Sequence, residues 1–256
     1  MSQEKEKEIQ QLKNRFRDLA EKSFRQNMFT FSGFLGLNEQ DIFWQTEQEL
    51  RYAGCLLFGG IENTDRQMIR FGNPEELGYE IPFPIVCVHI KPLIAKFADK
   101  LSHRDFLGAL MNLGIERDTI GDIKVGDKEA YLFCTETIAD FICENLTQIK
   151  HTHVKCIRNA EYKELPEEKP EIQLLQVASL RVDVVIAKVY RQSRGDCLEL
   201  FKAGKVFVNG RLCENNAKIL RQGDVVNARG FGKFLFVAEK GETKKGKINA
   251  EVAVYR

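Results

Sequence analysis

No stretch of this chain approaches the roughly 18 consecutive apolar residues that a membrane-crossing helix needs, so a helical membrane protein is excluded. The amino terminus, MSQEKEKEIQ, has no apolar core and mixes acids with its lysines. It reads neither as a secretory signal nor as an acid-poor transit peptide, and a cytoplasmic location is expected. Cysteines at C-x-x-C spacing are absent. The seven that exist, an odd number, sit mostly in apolar runs such as PIVCVHI and AYLFCTE and read as buried thiols of a reducing compartment. In HTHVKC, His151 and His153 share one face of a strand while Cys156 points to the other, and no second ligand pair follows at zinc spacing; no metal is expected. Internal repeats and low-complexity segments are lacking too. An excess of one charge is also missing: 38 Lys+Arg against 37 Asp+Glu leave +1, which taken alone argues against a polyanionic partner.

Position reverses that last inference. Residues 176–256 hold 16 Lys+Arg and 8 Asp+Glu, a net +8, while residues 1–175 hold 22 and 29, a net −7. An acidic body therefore carries a basic module, and a module of that density has the electrostatic footprint expected for a nucleic-acid partner. The 256 residues, 43% hydrophobic and 29% charged, suit a soluble globular chain of one to three small domains.

The pattern along the chain predicts an α+β protein. Ile9, Leu12, Phe16 and Leu19 recur at helical spacing over residues 1–27, a single apolar stripe suited to packing against a domain. A second helix is expected from Glu39 to about Tyr52 with Asn38 as its N-cap, then a short buried strand at CLLFGG. GNPEELGYEIPFP reads as the link that closes an N-terminal α/β region, residues 1–80. Residues 81–162 read as strand, helix, strand, strand, helix, strand, the ferredoxin-like order that RRM modules use. Ser102 with Asp105 forms a capping box at the first of these helices and Gly114 ends it. Residues 163–175, opening with KELPEEKPE, read as a linker.

In residues 176–256, Val182, Val185, Ile186 and Val189 mark the buried face of one helix. Ser193 caps a second helix, with Leu198 and Phe201 facing the core and Gly204 at its end. Asn209-Gly210 and Gly223-Asp224 turn a small curved sheet. Arg181, Arg194, Lys202, Lys205 and Arg229 are expected on one side. L-R-V-D with Arg181 and Asp183, Ser193-Arg194, F-K-A-G with Lys202 and Gly204, Lys205-Val206, Val208-Asn209-Gly210, Gly223-Asp224 and Arg229-Gly230 together closely resemble the S4 RNA-binding domain. The resemblance implies two helices packed on a small sheet that grip structured RNA through Arg181, Ser193, Arg194, Lys202, Lys205, Arg211, Arg229 and Lys233. Arg suits that task because its planar fork donates two hydrogen bonds to a phosphate. Asp183 is expected to partner a group within the chain.

S4 domains accompany many activities, so the body must decide the function. It holds no G-x-x-x-x-G-K-[ST] and no G-x-S-x-G. His103-Arg104-Asp105 opens like a kinase catalytic loop, but Leu110 stands where that loop holds its metal with Asn. Neither a cofactor nor enzymatic activity is expected. FSGFLGLNEQ, GGIENTDR and HRDFLGALMNLGIERDTIGDI, followed by the S4 pattern, resemble the YlmH family across nearly the whole chain, with Leu37 and Thr64-Asp65-Arg66 departing from the family pattern. That resemblance implies an RRM-like middle domain, a C-terminal S4 domain, and a monomeric factor bound to rRNA or tRNA on the large ribosomal subunit, acting in rescue of stalled translation. His103 and Arg104 at a helix start and Tyr131 and Phe133 on one face of the third strand of the middle domain are secondary candidates for an RNA or ribosome contact. Arg117, Gly121 and Asp122 are expected to fix a turn. The alternative readings are a protein-interaction scaffold localised by S4 and an RNA-modifying enzyme with an unrecognised site.

Overall fold

The computed structural model describes residues 3–62, 64–162, 170–243 and 246–255, in two compact units, residues 1–165 and 166–256. The first part of the expected linker, residues 163–169, lies outside the described residues. Among the described residues no helix is long and apolar enough to cross a membrane, and no cluster of three His, Cys, Asp or Glu side chains could hold a metal ion. All seven cysteines are free thiols. Burial pushes those of Cys134 and Cys156 up to about 12.

The first unit begins with α1 (Gln3–Gln26), β1 (Thr30–Phe31), α2 (Leu37–Leu50), β2 (Cys55–Phe58), β3 (Met68–Phe71) and the short α3 (Pro74–Leu77). The stripe on α1 docks as its spacing requires: Phe16 and Ala20 are fully buried and Leu12 and Leu19 pack beside them. Phe16 meets Phe43 of α2 edge-on at 5.5 Å, and Phe43 meets Phe71 of β3 at 6.1 Å. Burying each such ring contributes about 2–3 kcal/mol. The N-cap of α2 is Gly36, two residues before the expected Asn38. Glu39 decides this, because from N3 its carboxylate accepts the Gly36 N–H at 2.6 Å.

The sheet order is β1-β3-β2. CLLFGG does contain a strand, β2, but Leu56 on it is half exposed. The buried central strand is β3, which sequence patterning misses because Arg70 interrupts it. Arg70 is only 4% exposed, and it donates to Glu80 Oε1 and to the Ile81 carbonyl, both at 3.0 Å. Its guanidinium also lies 4.8 Å from the Phe29 ring centroid. The presumed link GNPEELGYEIPFP thus contributes α3 and the partners of a buried cation.

The same unit continues with β4 (Ile85–Pro92), α4 (His103–Asn112), β5 (Ile120–Val125), β6 (Ala130–Thr135), α5 (Glu136–Asn145), β7 (Gln148–Ile149) and β8 (Thr152–Arg158). Every pairing is antiparallel in the order β5-β6-β4-β8-β7. The four long strands thus lie fourth-first-third-second. Phe106 and Leu110 of α4 and Ala139 and Ile142 of α5 pack on Val88, Ile90, Leu132 and Cys134 to form the core on one face of this sheet. Ser102 and Asp105 make the expected capping box at α4, and Gly114 follows the helix at φ +76°.

The N-terminal layer and this sheet are joined within the unit by a polar clamp. Asp122 on β5 accepts the backbone N–H groups of Asp65 and Arg66 at 2.9 and 3.0 Å. Arg66 returns three bonds to carbonyl oxygens, to Ile120 and Phe34 at 2.8 Å and Arg117 at 2.9 Å. Chain packing at the clamp is tight enough to require glycine. A Cβ on Gly121 would come within 2.6 Å of the Phe34 ring, well inside van der Waals contact. Arg117, Gly121 and Asp122 therefore fix more than their own turn.

The second unit contains β9 (Glu171–Val177), α6 (Val182–Val189), α7 (Arg194–Lys202), β10 (Val206–Val208), β11 (Arg211–Leu212), β12 (Val225–Ala228), β13 (Gly232–Glu242) and β14 (Ile248–Tyr255). Its sheet runs β11-β10-β12-β13-β14-β9, antiparallel throughout. Residues 171–175, read from sequence as linker, instead belong to β9 on the sheet edge, where Leu175 and Val177 face the core. The sequence signal was overridden there by KELPEEKPE, which precedes and partly overlaps the strand. Val182, Val185, Ile186 and Val189 are all buried. On α7 the core residues are Cys197, Leu200 and Phe201, while Leu198 is 40% exposed. The helix is rotated about one residue from the expected facing. Asn209 and Gly210 turn with φ of +53° and +74°, the pair of positive values that a type I′ hairpin requires.

Replacing Arg66 with Ala strands three carbonyl acceptors, while Asp122 keeps its two backbone donors. The expected cost is about 3 kcal/mol, read as a lowered unfolding midpoint, and Arg66→Lys should restore little of it because an ammonium cannot span three acceptors in a plane.

Candidate nucleic-acid interface

The candidate residues of the second unit do not form one flat patch. Arg194, Leu198 and Lys202 recur at steps of four on α7 and so share one exposed face. Ser193 starts that helix. Its hydroxyl accepts the Asp196 N–H at 3.1 Å and donates to the Asp196 carboxylate at 2.7 Å, so its first role is capping. Lys202 meets Glu199 at 2.7 Å, with both side chains about 70% exposed. Such a pair is worth little in water and is readily traded for a phosphate. Lys205 follows the helix, exposed, and its carbonyl accepts the Arg229 N–H at 2.9 Å, which ties the backbones of those two cationic positions together.

Arg229 and Lys233 lie on the other face of the sheet. Phe207 alternates with the core residues Val206 and Val208 and so points away from the helices. The Arg229 guanidinium sits 5.4 Å from its ring centroid, and Lys233 Nζ sits 5.6 Å from that of Tyr255. Arg211 is exposed on the short edge strand β11. The expectation that Arg229 shares a side with Arg194 and Lys202 is therefore corrected: sheet alternation carries its side chain over the Phe207 face. Arg181 is engaged by a partner within the chain. Its Nε and Nη2 donate to the two oxygens of Asp183 at 3.0 and 2.6 Å, the partnership expected for Asp183, and Asn216 donates to the same carboxylate at 2.8 Å. Burial pushes the Asp183 carboxyl up, but the Arg181 and Asn216 bonds outweigh it and hold the group below its ordinary range.

The secondary candidates separate as well. Arg104 is exposed on the first turn of α4. His103 is exposed too, and partial desolvation, helped by Arg117, lowers its imidazole from the usual range. Asp105 beside them is occupied by Lys150 at 2.8 Å and by Ser102, and those bonds hold its carboxyl down at about 2. Tyr131 and Phe133 are 3% and 2% exposed. They do share a face, but it is covered. Tyr162 packs on both rings at 5.3 and 5.6 Å, His89 stacks on Tyr131 at 4.4 Å, and a Cβ on Gly60 would fall 2.4 Å from Phe133. Neither ring presents a free face to a base, so this pair is corrected from contact candidates to packing residues. Tyr162 and Gly60 had no sequence signal for this role, because both lie far along the chain from the strand they cover.

The family model described as "Putative RNA-binding domain in YlmH" matches residues 80–164. The "Ribosome-associated protein quality control protein P2" of Bacillus subtilis (strain 168) is 32% identical over 204 residues, covering 76% of this chain and 76% of that protein. The chain belongs to the YlmH family. A solved structure, "Cell division protein ylmH from Streptococcus pneumoniae", shares 17% identity with this YlmH-family chain at a TM-score of 0.48, over 62% of this chain and 93% of that one; a likeness that loose leaves the fold to be argued from the strand order above. For this YlmH member, the segments that carry the family resemblance, around Phe34, Arg66 and Asp122, are the ones that meet in the polar clamp. Their first role is to hold the first unit together.

Asp183→Ala should release Arg181 and leave Asn216 unpaired, lowering stability by about 1–2 kcal/mol. A thermal melt of the whole chain reads this directly, and affinity for RNA should hold or rise because a cation is freed.

Proposed function

We propose that the chain is a non-enzymatic RNA-binding factor that grips structured rRNA or tRNA through its C-terminal unit. In this reading residues 176–256 are an S4 domain and residues 81–162 an RRM-like domain. The observation that carries it is the exposed Arg194–Leu198–Lys202 face of α7, continued by Lys205, on a module of net +8. The two helices packed on an antiparallel sheet support the first assignment. The fourth-first-third-second strand order supports the second. A-form RNA hides its base edges in a deep narrow groove, so a small domain meets it best with cations on a rigid helix that read shape and phosphate. Arg229 and Arg211 supply further charge at the sheet.

The name of the relative from Bacillus subtilis ties that protein to the ribosome and to quality control. Carried to this chain, it supports a ribosome-associated role in quality control; our reading goes further, to a monomeric cytoplasmic factor on the large ribosomal subunit that acts when translation stalls. No step of catalysis is required: the contribution is placement, with the acidic first unit held at the ribosome by the basic second one.

With roughly five phosphates contacted, log K should fall against log salt with a slope of about −3 to −5. Arg194→Glu with Lys202→Glu should abolish co-sedimentation with ribosomes while leaving the melting temperature unchanged. Retained co-sedimentation would remove the helical face from the interface.

A further inference from the structure

The family model that matches residues 80–164 is named for RNA binding, yet the aromatic face of that sheet is closed over Tyr131 and Phe133. The closure stops part-way. Further along the same face Lys91 of β4 stands opposite Lys155 of β8, and Ile157, opposite His89, is 39% exposed. The chain then leaves β4 into a loop whose Leu93, Ile94 and Phe97 are 60%, 61% and 76% exposed, Phe97 being the most exposed large apolar side chain among the described residues.

This loop is held in shape. Leu93 N–H donates to the His153 carbonyl at 2.9 Å. Asp99 N–H donates to Thr152 Oγ1 at 2.9 Å, and Lys128 Nζ donates to the Ala95 carbonyl at 2.9 Å. A chain pinned at three points that still presents three large apolar groups to water bears an unfavourable apolar hydration that packing within the unit does not relieve. The surroundings are cationic. Lys96 Nζ sits 5.7 Å from the Phe97 ring centroid, and among the described residues no ion pair engages Lys91, Lys96, Lys100 or Lys155. Of the nearby acids, Asp99 is bound to Thr152 and Glu129 to His89; Asp127 is exposed in the adjoining turn.

We propose that the β4–α4 loop, with the Lys91–Lys155 pair beside it, is a binding site for unpaired RNA, in which a base stacks on Phe97 and the lysines hold the flanking phosphates. A duplex keeps its bases stacked on one another and has no use for an exposed ring, whereas a single strand offers both a free π-face and a flexible chain of charge. An acidic protein would satisfy the lysines but gives no reason for a lone exposed aromatic on a pinned loop. The site lies in the first unit and the helical face in the second, so each can be altered without touching the other.

The test uses the whole chain carrying Arg194→Glu and Lys202→Glu, which silences the other face, and fluorescence anisotropy with a labelled single-stranded 12-mer of A and U. Phe97→Ala should weaken binding about tenfold, the usual worth of one stacked base. Phe97→Trp should retain it, and Lys91→Glu with Lys155→Glu should weaken it further. Because Phe97 is mostly exposed, the melting temperature should not move. Unchanged affinity in Phe97→Ala, or no single-strand binding by the doubly reversed parent, overturns this site and leaves the helical-face reading intact. Loss of a ribosomal-protein contact on Phe97→Ala with single-strand affinity unchanged would overturn it in favour of protein docking. If the double reversal leaves ribosome co-sedimentation unaltered while Phe97→Ala acts as stated, the helical-face reading fails and this site stands.

Discussion

The first unit depends on one reciprocal exchange of hydrogen bonds. Asp122 takes two backbone donors from the Asp65–Arg66 turn, and Arg66 fills three carbonyls on the segments around it. Burial lowers the Arg66 guanidinium to about 10, with Arg117 adding to the effect against Glu39, Asp122 and Asp118, so it remains charged at neutral pH. The bonds it makes are charge-assisted and directional. A hydrophobic seam could slide; five aimed bonds cannot. They set the register of the N-terminal layer on the β5 end of the sheet. Gly33 and Gly121 allow the approach, since a Cβ at either would collide with Asp118 or Phe34.

That register has a consequence on the sheet's far face. Gly60 and Tyr162 close over Phe133 and Tyr131, so aromatic residues that would suit base stacking become packing residues. The apolar and cationic surface that remains is displaced to the end of β4 and the loop beyond it. In the second unit the same alternation rule divides the cations between the outer face of α7 and the Phe207 face of the sheet. Each unit thus covers one face of its sheet with helices and keeps positive charge on exposed elements.

Local structure was largely legible. Ser102 and Ser193 cap helices because a hydroxyl at that position meets an unpaired backbone N–H. Gly114 and Gly204 end helices because they adopt positive φ without cost. The stripe on α1 and the valines of α6 bury as their spacing requires. Misreadings arose where a side chain is satisfied by something distant. No expectation covered the strand around Arg70, whose buried cation is sustained by Glu80, Ile81 and two aromatic rings. Leu198 looked like core until α7 turned Cys197 and Leu200 inward instead. Residues 171–175 looked like linker, and they are strand because β14 offers them a ladder.

By itself the sequence determined the charge division, the helix ends, the tight turns and the family resemblance, because each depends on residues within a few positions of one another or on a simple sum. Tertiary structure alone decided which aromatics are open. Tyr131 and Phe97 are comparably apolar, and nothing local distinguishes them. One is covered by Tyr162 and His89, the other projects from a loop pinned by Thr152 and Lys128. Accessibility is a property of what arrives from elsewhere in the chain, and the Arg66–Asp122 contact that brings it together spans 56 positions of sequence.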